Sequence, residues 1–275
     1  MLGSGIGILL NRVFRFRRAI IEMHLAIAFP ERDPAALCEL RNRVYRHFGR
    51  MVIEILSFPC IPAKRFLKHV EWEGLGHLDA AIAKGKGVCL LCGHLGSWEV
   101  PCIGLAAAGY DIRAIGKEMK SKAGETFRIM LRDENGVATI PRRGSMRDIV
   151  RGLKKNGVIA FVLDQNMTSD EGEFVDFFGH SACTMTNLAV IAKRTGATIL
   201  PGHTWRDESG KHHCIVLPEI FLDADESATE STQYLTQILE QMIREHPEQW
   251  LWIHKRWRTR PDGEKNSPFN YRRRK

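Results

Sequence analysis

The chain has 275 residues, 44% of them hydrophobic and 26% charged, which permits a full hydrophobic core and excludes an intrinsically disordered protein. Lysine and arginine exceed aspartate and glutamate by 40 to 32, and the net charge of +8 collects near both ends of the chain. Such an excess suits an anionic membrane or an acidic protein, or is a solvated basic face; no nucleic-acid reading motif accompanies it, and we expect no nucleic-acid partner.

The first predicted element is an amphipathic helix within residues 1–30. Its apolar side carries Ile6, Leu9, Leu10, Val13, Phe16, Ile20 and Ile27. Its charged side carries Arg12, Arg15, Arg18 and Glu22, and Arg17 interrupts the apolar side. Such a helix lies in a bilayer interface with its arginines at lipid phosphates, or packs on its own domain. No apolar run reaches the ~18 to 20 residues of a membrane span.

Helices and strands alternate along the rest of the chain. Asp33 and Pro34 form an N-cap and first-turn pair that predicts a helix from residue 34 to about 56. The predicted helices that follow span residues 76–84, 97–108, 121–134, 145–155, 184–195 and 228–245. The predicted strands span residues 88–92, 112–115, 137–140, 158–163, 198–200 and 214–217. We therefore expect one layered α/β domain over residues 31–275, with a mostly parallel central sheet flanked by helices.

Polar residues that are able to carry chemistry follow the first predicted strand. His94 ends that strand, and Glu99 lies in the first turn of the next predicted helix. The glutamate can fix the imidazole tautomer and support its positive charge, which is the arrangement of a general base. The helix start also offers unpaired N–H groups to a developing oxyanion. The alternative is a strand-end histidine that bonds a carbonyl, with Glu99 only a helix N-terminal charge.

Several motifs occur in a fixed order along the chain. His94-x4-Glu99 is followed by Asp164-Gln165 after another predicted strand, by Phe177-Phe178-Gly179, and by the tryptophan-rich segment 247–257. This ordered set resembles the lipid A late acyltransferases, a bacterial branch of the lysophospholipid acyltransferase superfamily. The resemblance runs from about Arg18 to Pro261 and covers most of the chain.

The resemblance implies a fold like that of glycerol-phosphate acyltransferases and an O-acyl transfer reaction. The donor would be an acyl thioester of acyl carrier protein or coenzyme A, and the acceptor a hydroxyl of a lipid A precursor or related glycolipid. It further implies no metal, no other cofactor and no acyl-enzyme intermediate. The expected place of action is the cytoplasmic face of the inner membrane, with peripheral or interfacial attachment.

The resemblance also assigns roles to individual residues. His94 becomes the base that deprotonates the acceptor hydroxyl, and Glu99 is the carboxylate of the same motif. Asp164 matches a carboxylate that the family brings near the histidine, so either acid can be the orienting partner. Gln165, which follows it, is a candidate substrate-binding residue.

Three cations are candidate substrate-binding residues. Arg132 is the nearest match to a functional arginine in the helix upstream of the Asp-Gln motif, and Arg128, one turn earlier, competes for that role. Such an arginine holds a phosphate or neutralises an oxyanion, or is only a surface charge. Lys117 stands where the family has an arginine after the second strand. This difference leaves the identity of the acceptor lipid open.

Two other functions compete with acyl transfer. A lipid hydrolase would use the same base to activate water, but the sequence contains neither the G-x-S-x-G nor the H-E-x-x-H motif. A non-catalytic peripheral membrane protein would not require the residues of the His-x4-Glu and Asp-Gln motifs to converge. We therefore expect an acyltransferase.

Overall fold

The computed structural model describes residues 2–116, 119, 121–142, 144, 146–264, 267–269 and 271. Contacts divide the chain into two compact units. The sheet unit comprises Glu54–Val162 and Asn187–Asp225. The helical unit comprises Met1–Ile53, Leu163–Thr186 and Glu226–Lys275.

The helices and strands alternate much as the sequence predicts. The helices are α1 (Leu2–Arg12), α2 (Arg18–Ala28), α3 (Pro34–Ser57), α4 (Ala63–Phe66), α5 (Leu75–Ala83), α6 (Glu99–Ala107), α7 (Lys122–Leu131), α8 (Met146–Lys154), α9 (Asn187–Thr195) and α10 (Ala228–Glu245). The strands are β1 (Val70–Glu73), β2 (Val88–Cys92), β3 (Ile112–Gly116), β4 (Ala138–Pro141), β5 (Val158–Val162), β6 (Glu173–Phe177), β7 (His180–Thr184), β8 (Thr198–Arg206) and β9 (His212–Val216).

In the described part of the sheet unit, seven strands form one sheet in the order β1-β9-β8-β2-β5-β3-β4. Every neighbouring pair is parallel except β8 and β9, which are antiparallel. Strand β2 lies in the middle, with Leu90 opposite Ala160 of β5 and Leu200 of β8. The predicted α/β class with a mostly parallel sheet is confirmed.

Helices cover both faces of this sheet because its central strands are apolar on both sides. Leu90 and Ala160 point to one face, where they share a core with Leu78 of α5 and Ile103 of α6. Ile159 points to the other face, where α8 packs on β5 and α9 packs on β2. The continuous burial of β2 and β5 is typical of a parallel sheet buried on both sides.

The helical unit is built around aromatic side chains. Strands β6 and β7 form an antiparallel hairpin against which α10 packs. Trp250, Trp252 and Trp257 are almost fully buried and contact one another and the Phe177 and Phe178 rings. The tryptophans therefore form part of the core of this unit.

The predicted continuous N-terminal helix is wrong, since the chain breaks at residues 13–17 between α1 and α2. Arg15 and Arg17 have φ of +46° and +53°, values that end a right-handed helix. The Arg17 side chain donates to the Ile253 carbonyl at 2.8 Å, which explains why this arginine interrupts the apolar stripe. Within the described residues, no helix combines the length and apolar character needed to cross a bilayer.

Candidate active site

A short loop carries His94 away from the end of β2. The imidazole is half-buried, and the Trp98 ring packs edge-on against it with ring centroids 4.8 Å apart. Gly96 has φ of +62°, and a Cβ atom at this position would lie 2.2 Å from the Thr204 carbonyl oxygen. Only glycine fits there, so the loop lies directly on β8 and the position of His94 is constrained by backbone packing.

Glu99, the first residue of α6, forms a buried ion pair with Arg132 at the end of α7. Arg132 Nε donates to Glu99 Oε2 at 2.9 Å and Nη2 donates to Oε1 at 2.6 Å, which is bidentate geometry. Burial opposes the charge of Arg132, but the hydrogen bonds and charge of Glu99 outweigh it and raise the pKa of the guanidinium. A carboxylate can accept further hydrogen bonds beside this pair, so contact between Glu99 and His94 stays a prediction.

The structure separates the two candidate arginines of α7. Arg128 donates to Glu125 and to Asp133 at 2.6 to 3.1 Å, and to the Thr139 hydroxyl at 2.9 Å. Its carboxylate partners are about 40% exposed, whereas the Glu99 side chain is 6% exposed. Arg132 is therefore the arginine of this pair that lies in the wall of a buried site.

An apolar cavity of about 50 Å³ lies between α6 and the sheet. Small residues beneath the helix, Ala114, Ala160 and Gly202, leave this space unfilled. Glu99 and Arg132 also line it, so a buried charged pair adjoins an otherwise apolar wall. A largely apolar cavity with few polar groups is typical of a small-molecule or lipid-chain site.

Asp164 and Gln165 belong to the helical unit. Trp250 Nε1 donates to Asp164 Oδ2 at 2.7 Å, and the buried Arg256 donates to the Gln165 carbonyl at 3.2 Å. Burial lowers the pKa of Arg256 to about 10, although the charge of Asp164 opposes this effect. Because His94 lies in the other compact unit, its convergence with Asp164 stays a prediction.

The structure gives different outcomes for the remaining polar residues near the site. Lys117 lies outside the described residues. His203 lines the apolar cavity, although its sequence neighbours do not have the spacing of metal ligands. Among the described residues, Ser97 has a buried hydroxyl without a hydrogen-bond partner, a feature that no sequence signal indicates. Within the same residues no group of three histidine, cysteine or acidic side chains is placed to hold a metal ion.

Fold and site together describe an α/β protein with an apolar cavity next to a histidine loop and a buried ion pair. Residues 1–259 match the family model described as bacterial lipid A biosynthesis acyltransferase. The chain belongs to this family and is an acyltransferase. The resemblance inferred from the ordered motifs is thereby confirmed.

Relatives with known names support the same class. The chain is 28% identical to the lipid A biosynthesis palmitoleoyltransferase of Escherichia coli over 96% of its own length and 86% of that protein. It is 24% identical to the lipid A biosynthesis lauroyltransferase of the same bacterium, over 95% and 86% of the two chains. It is also 27% identical to a phosphatidylinositol mannoside acyltransferase of Mycobacterium tuberculosis, over 82% and 71%.

Proposed function

We propose that this protein transfers a fatty acyl chain from an acyl thioester to a hydroxyl of a glycolipid, with a lipid A precursor as the acceptor. The observation that carries the proposal is the buried Glu99–Arg132 pair in the wall of an apolar cavity, where Glu99 follows His94 by five residues. The apolar lining of the cavity suits a hydrocarbon chain, and the charged pair supplies polarity beside it. Family membership and the named acceptors of the relatives support the glycolipid acceptor.

In this proposal His94 is the general base. Its imidazole takes the proton of the acceptor hydroxyl as the oxygen attacks the thioester carbonyl. The tetrahedral intermediate then collapses, the carbon–sulfur bond breaks, and the imidazolium returns its proton to the thiolate. Because the donor is already activated, the protein has to align the two groups and stabilise transient charge.

The carboxylates and cations have distinct proposed tasks. Glu99, or Asp164, orients the imidazole and supports its positive charge. Arg132 holds the Glu99 carboxylate in one orientation, because a bidentate pair fixes both partners. In the first turn of α6 the Val100 N–H donates to the Ser97 carbonyl at 2.9 Å and Pro101 has no N–H, so this scheme assigns the Glu99 N–H to the oxyanion. Gln165 and Lys117 remain candidates for binding the acceptor, and no metal or further cofactor takes part.

The donor and the place of action are also proposals. Acyl carrier protein is an acidic donor that complements the net charge of +8, and acyl coenzyme A is the alternative thioester. A glycolipid acceptor places the reaction at a membrane surface. We propose the cytoplasmic face of the inner membrane, with the protein attached peripherally.

The test replaces His94 with Ala and follows acyl transfer by mass spectrometry, with lipid A precursor and phosphatidylinositol mannoside offered as acceptors. We expect kcat to fall by about 10² to 10⁴, the usual contribution of a general base. His77→Ala is the matched control, since His77 is exposed on α5, and it should retain wild-type turnover.

The same measurement separates transfer from hydrolysis. A transferase adds one acyl mass to the glycolipid, whereas a hydrolase releases free fatty acid and produces no heavier lipid. Full activity of a folded His94→Ala protein would exclude the proposed base. Equal turnover without any acceptor would identify a hydrolase instead.

A further inference from the structure

Helix α1 packs on α3 through its smallest residues. Gly3, Gly7 and Asn11, each four residues apart, are the buried positions of the helix. A Cβ atom at Gly7 would lie 2.0 Å from the Tyr45 carbonyl oxygen, so the two backbones are in direct contact there. Gly49 gives the same room from the α3 side, where a Cβ atom would lie 2.2 Å from the Gly3 carbonyl oxygen. This close small-residue packing is typical of helices in membranes.

The consequence is that the large apolar side chains of this segment point away from the protein. Among the described residues, twelve large hydrophobic side chains are exposed, and six of them fall within residues 2–16. These six are Leu2, Ile8, Leu9, Val13, Phe14 and Phe16. Exposed apolar side chains concentrated in one short segment mark a protein or membrane interaction site.

The turn that presents Val13 and Phe14 is held in place. The Tyr45 hydroxyl donates to the Phe16 carbonyl at 2.6 Å, and the Phe16 ring stacks on Phe48 with centroids 6.5 Å apart. Val13 and Phe14, both 65% exposed, stand at the tip of this turn. Their exposure is therefore a built feature of the turn and does not depend on a loose chain end.

The charge around the surface selects the partner. Residues 1–21 contain Arg12, Arg15, Arg17 and Arg18 and no acidic residue. Arg12 and Arg15 are exposed next to the apolar tip. Apolar side chains bordered by arginines match the acyl and phosphate layers of an anionic bilayer, where each cation near the surface adds attraction.

We propose that the α1 surface, defined as the six exposed apolar residues above with Arg12 and Arg15, docks on an anionic lipid bilayer. Val13 and Phe14 enter the acyl boundary, and the two arginines contact lipid phosphates. This names the attachment surface of the peripheral association in the proposed function. Membrane docking does not require the chemistry of His94. The docking proposal and the proposed catalytic role of His94 can therefore fail independently.

The experiment measures co-sedimentation of the full chain with vesicles of phosphatidylethanolamine and phosphatidylglycerol. Val13→Ser with Phe14→Ser should weaken binding by at least about tenfold, because exposed apolar area drives insertion. Phe221→Ser is the matched control: Phe221 is 77% exposed in the sheet unit, and its loss should leave binding unchanged. Both variants should keep the wild-type unfolding transition, since the replaced side chains are exposed.

Two further measurements show whether a lipid bilayer or a second copy of the chain covers the α1 surface. Phe14→Trp should show quenching by brominated lipid while Phe221→Trp should not, and Arg12→Gln with Arg15→Gln should lose binding only on anionic vesicles. His94→Ala should bind vesicles as the wild type does, which separates attachment from catalysis. Unchanged vesicle binding of the Val13, Phe14 double variant would overturn the proposal. So would a lipid-free dimer that this variant dissociates, because a second copy would then cover the surface.

Discussion

The Glu99–Arg132 pair places two opposite charges in a site that is nearly closed to water. Removing such groups from water is costly, and a buried pair is therefore weak grounds for stability by itself. The cost is balanced only while both partners are present, because each neutralises the other through two hydrogen bonds. The pair fixes the carboxylate of the His-x4-Glu motif, so we infer that it serves catalysis and not stability.

Removal of one partner should therefore be more harmful than removal of both. Arg132→Gln leaves Glu99 buried without its cation, and we expect the free energy of unfolding to fall by about 3 kcal/mol or more. Glu99→Gln with Arg132→Gln should recover most of that stability but not kcat/KM. Urea unfolding and initial rates of acyl transfer measure the two effects separately.

Arg128→Gln is the control for this prediction. Arg128 pairs with Glu125 and Asp133, whose side chains are well exposed, and such pairs contribute only about 0 to 1 kcal/mol. The unfolding free energy and kcat/KM of this variant should remain near the wild-type values. Matching losses for the Arg128 and Arg132 variants would show that burial of the pair has no special effect.

Helix α6 forms the roof of the apolar cavity along most of its length. Glu99 begins the helix, and Gly104 follows five residues later, about 7.5 Å along the axis. A Cβ atom at Gly104 would lie 2.6 Å from Trp72 Cζ2, so the indole of β1 packs on bare backbone. Trp72, which contacts α6 at Gly104, also lines the cavity. Its position therefore limits the depth available to a bound chain.

Changes at this contact should alter the preferred acyl length. Gly104→Ala displaces the Trp72 indole into the cavity and should lower kcat/KM for longer relative to shorter acyl donors by about tenfold. Trp72→Ala should change the preference in the opposite direction. Rates with a series of acyl thioesters of different length measure both effects.

Gly76→Ala on α5 is the matched glycine control, since nothing lies within 4 Å of a Cβ atom there. It should leave the preference for acyl length as it is in the wild type. If Gly104→Ala and Trp72→Ala keep the same length profile as this control, the chain does not reach Trp72.

Elements with a strong local signal were predictable from the sequence. Strand β2 occupies the predicted residues 88–92, and the Asp33 side chain caps α3 by accepting from the Ala36 N–H at 2.7 Å. The N-terminal break was not predictable, because Tyr45 and Ile253 hold it from far along the chain. Strand β1 was also missed, because its alternation of apolar and charged residues covers only four positions and its pairing partner is the distant β9.

The residues of the candidate site were likewise predictable only where the local sequence signal is strong. The His-x4-Glu spacing identifies His94 and Glu99 because strand and helix signals surround them. The choice of Arg132 over Arg128 as the partner of Glu99 depends on where α7 ends relative to α6, and no local pattern encodes that. Arg256 was overlooked as a buried residue, although a cation between apolar tryptophans is a usable signal.

At the scale of the whole molecule, charge is the property that any large anionic partner meets first. The net charge of +8 gives the protein a positive field, which extends about 10 Å at 0.1 M salt and about 3 Å at 1 M. Complementary fields raise the rate of encounter more than they strengthen final contacts. The proposed donor, an acidic acyl carrier protein, is the partner on which this field should act.

Salt should therefore raise the KM for acyl carrier protein and leave kcat almost unchanged. Between 50 mM and 500 mM salt we expect a KM increase of about tenfold, because screening weakens attraction before the complex forms. Initial rates at fixed, saturating acceptor measure it. An uncharged acyl N-acetylcysteamine thioester is the control donor, since it delivers the same acyl group without an acidic carrier, and its KM should stay constant. Equal salt dependence for both donors would show that salt acts on acceptor binding or on the fold. The proposed role of charge in binding the acyl carrier protein would then be wrong.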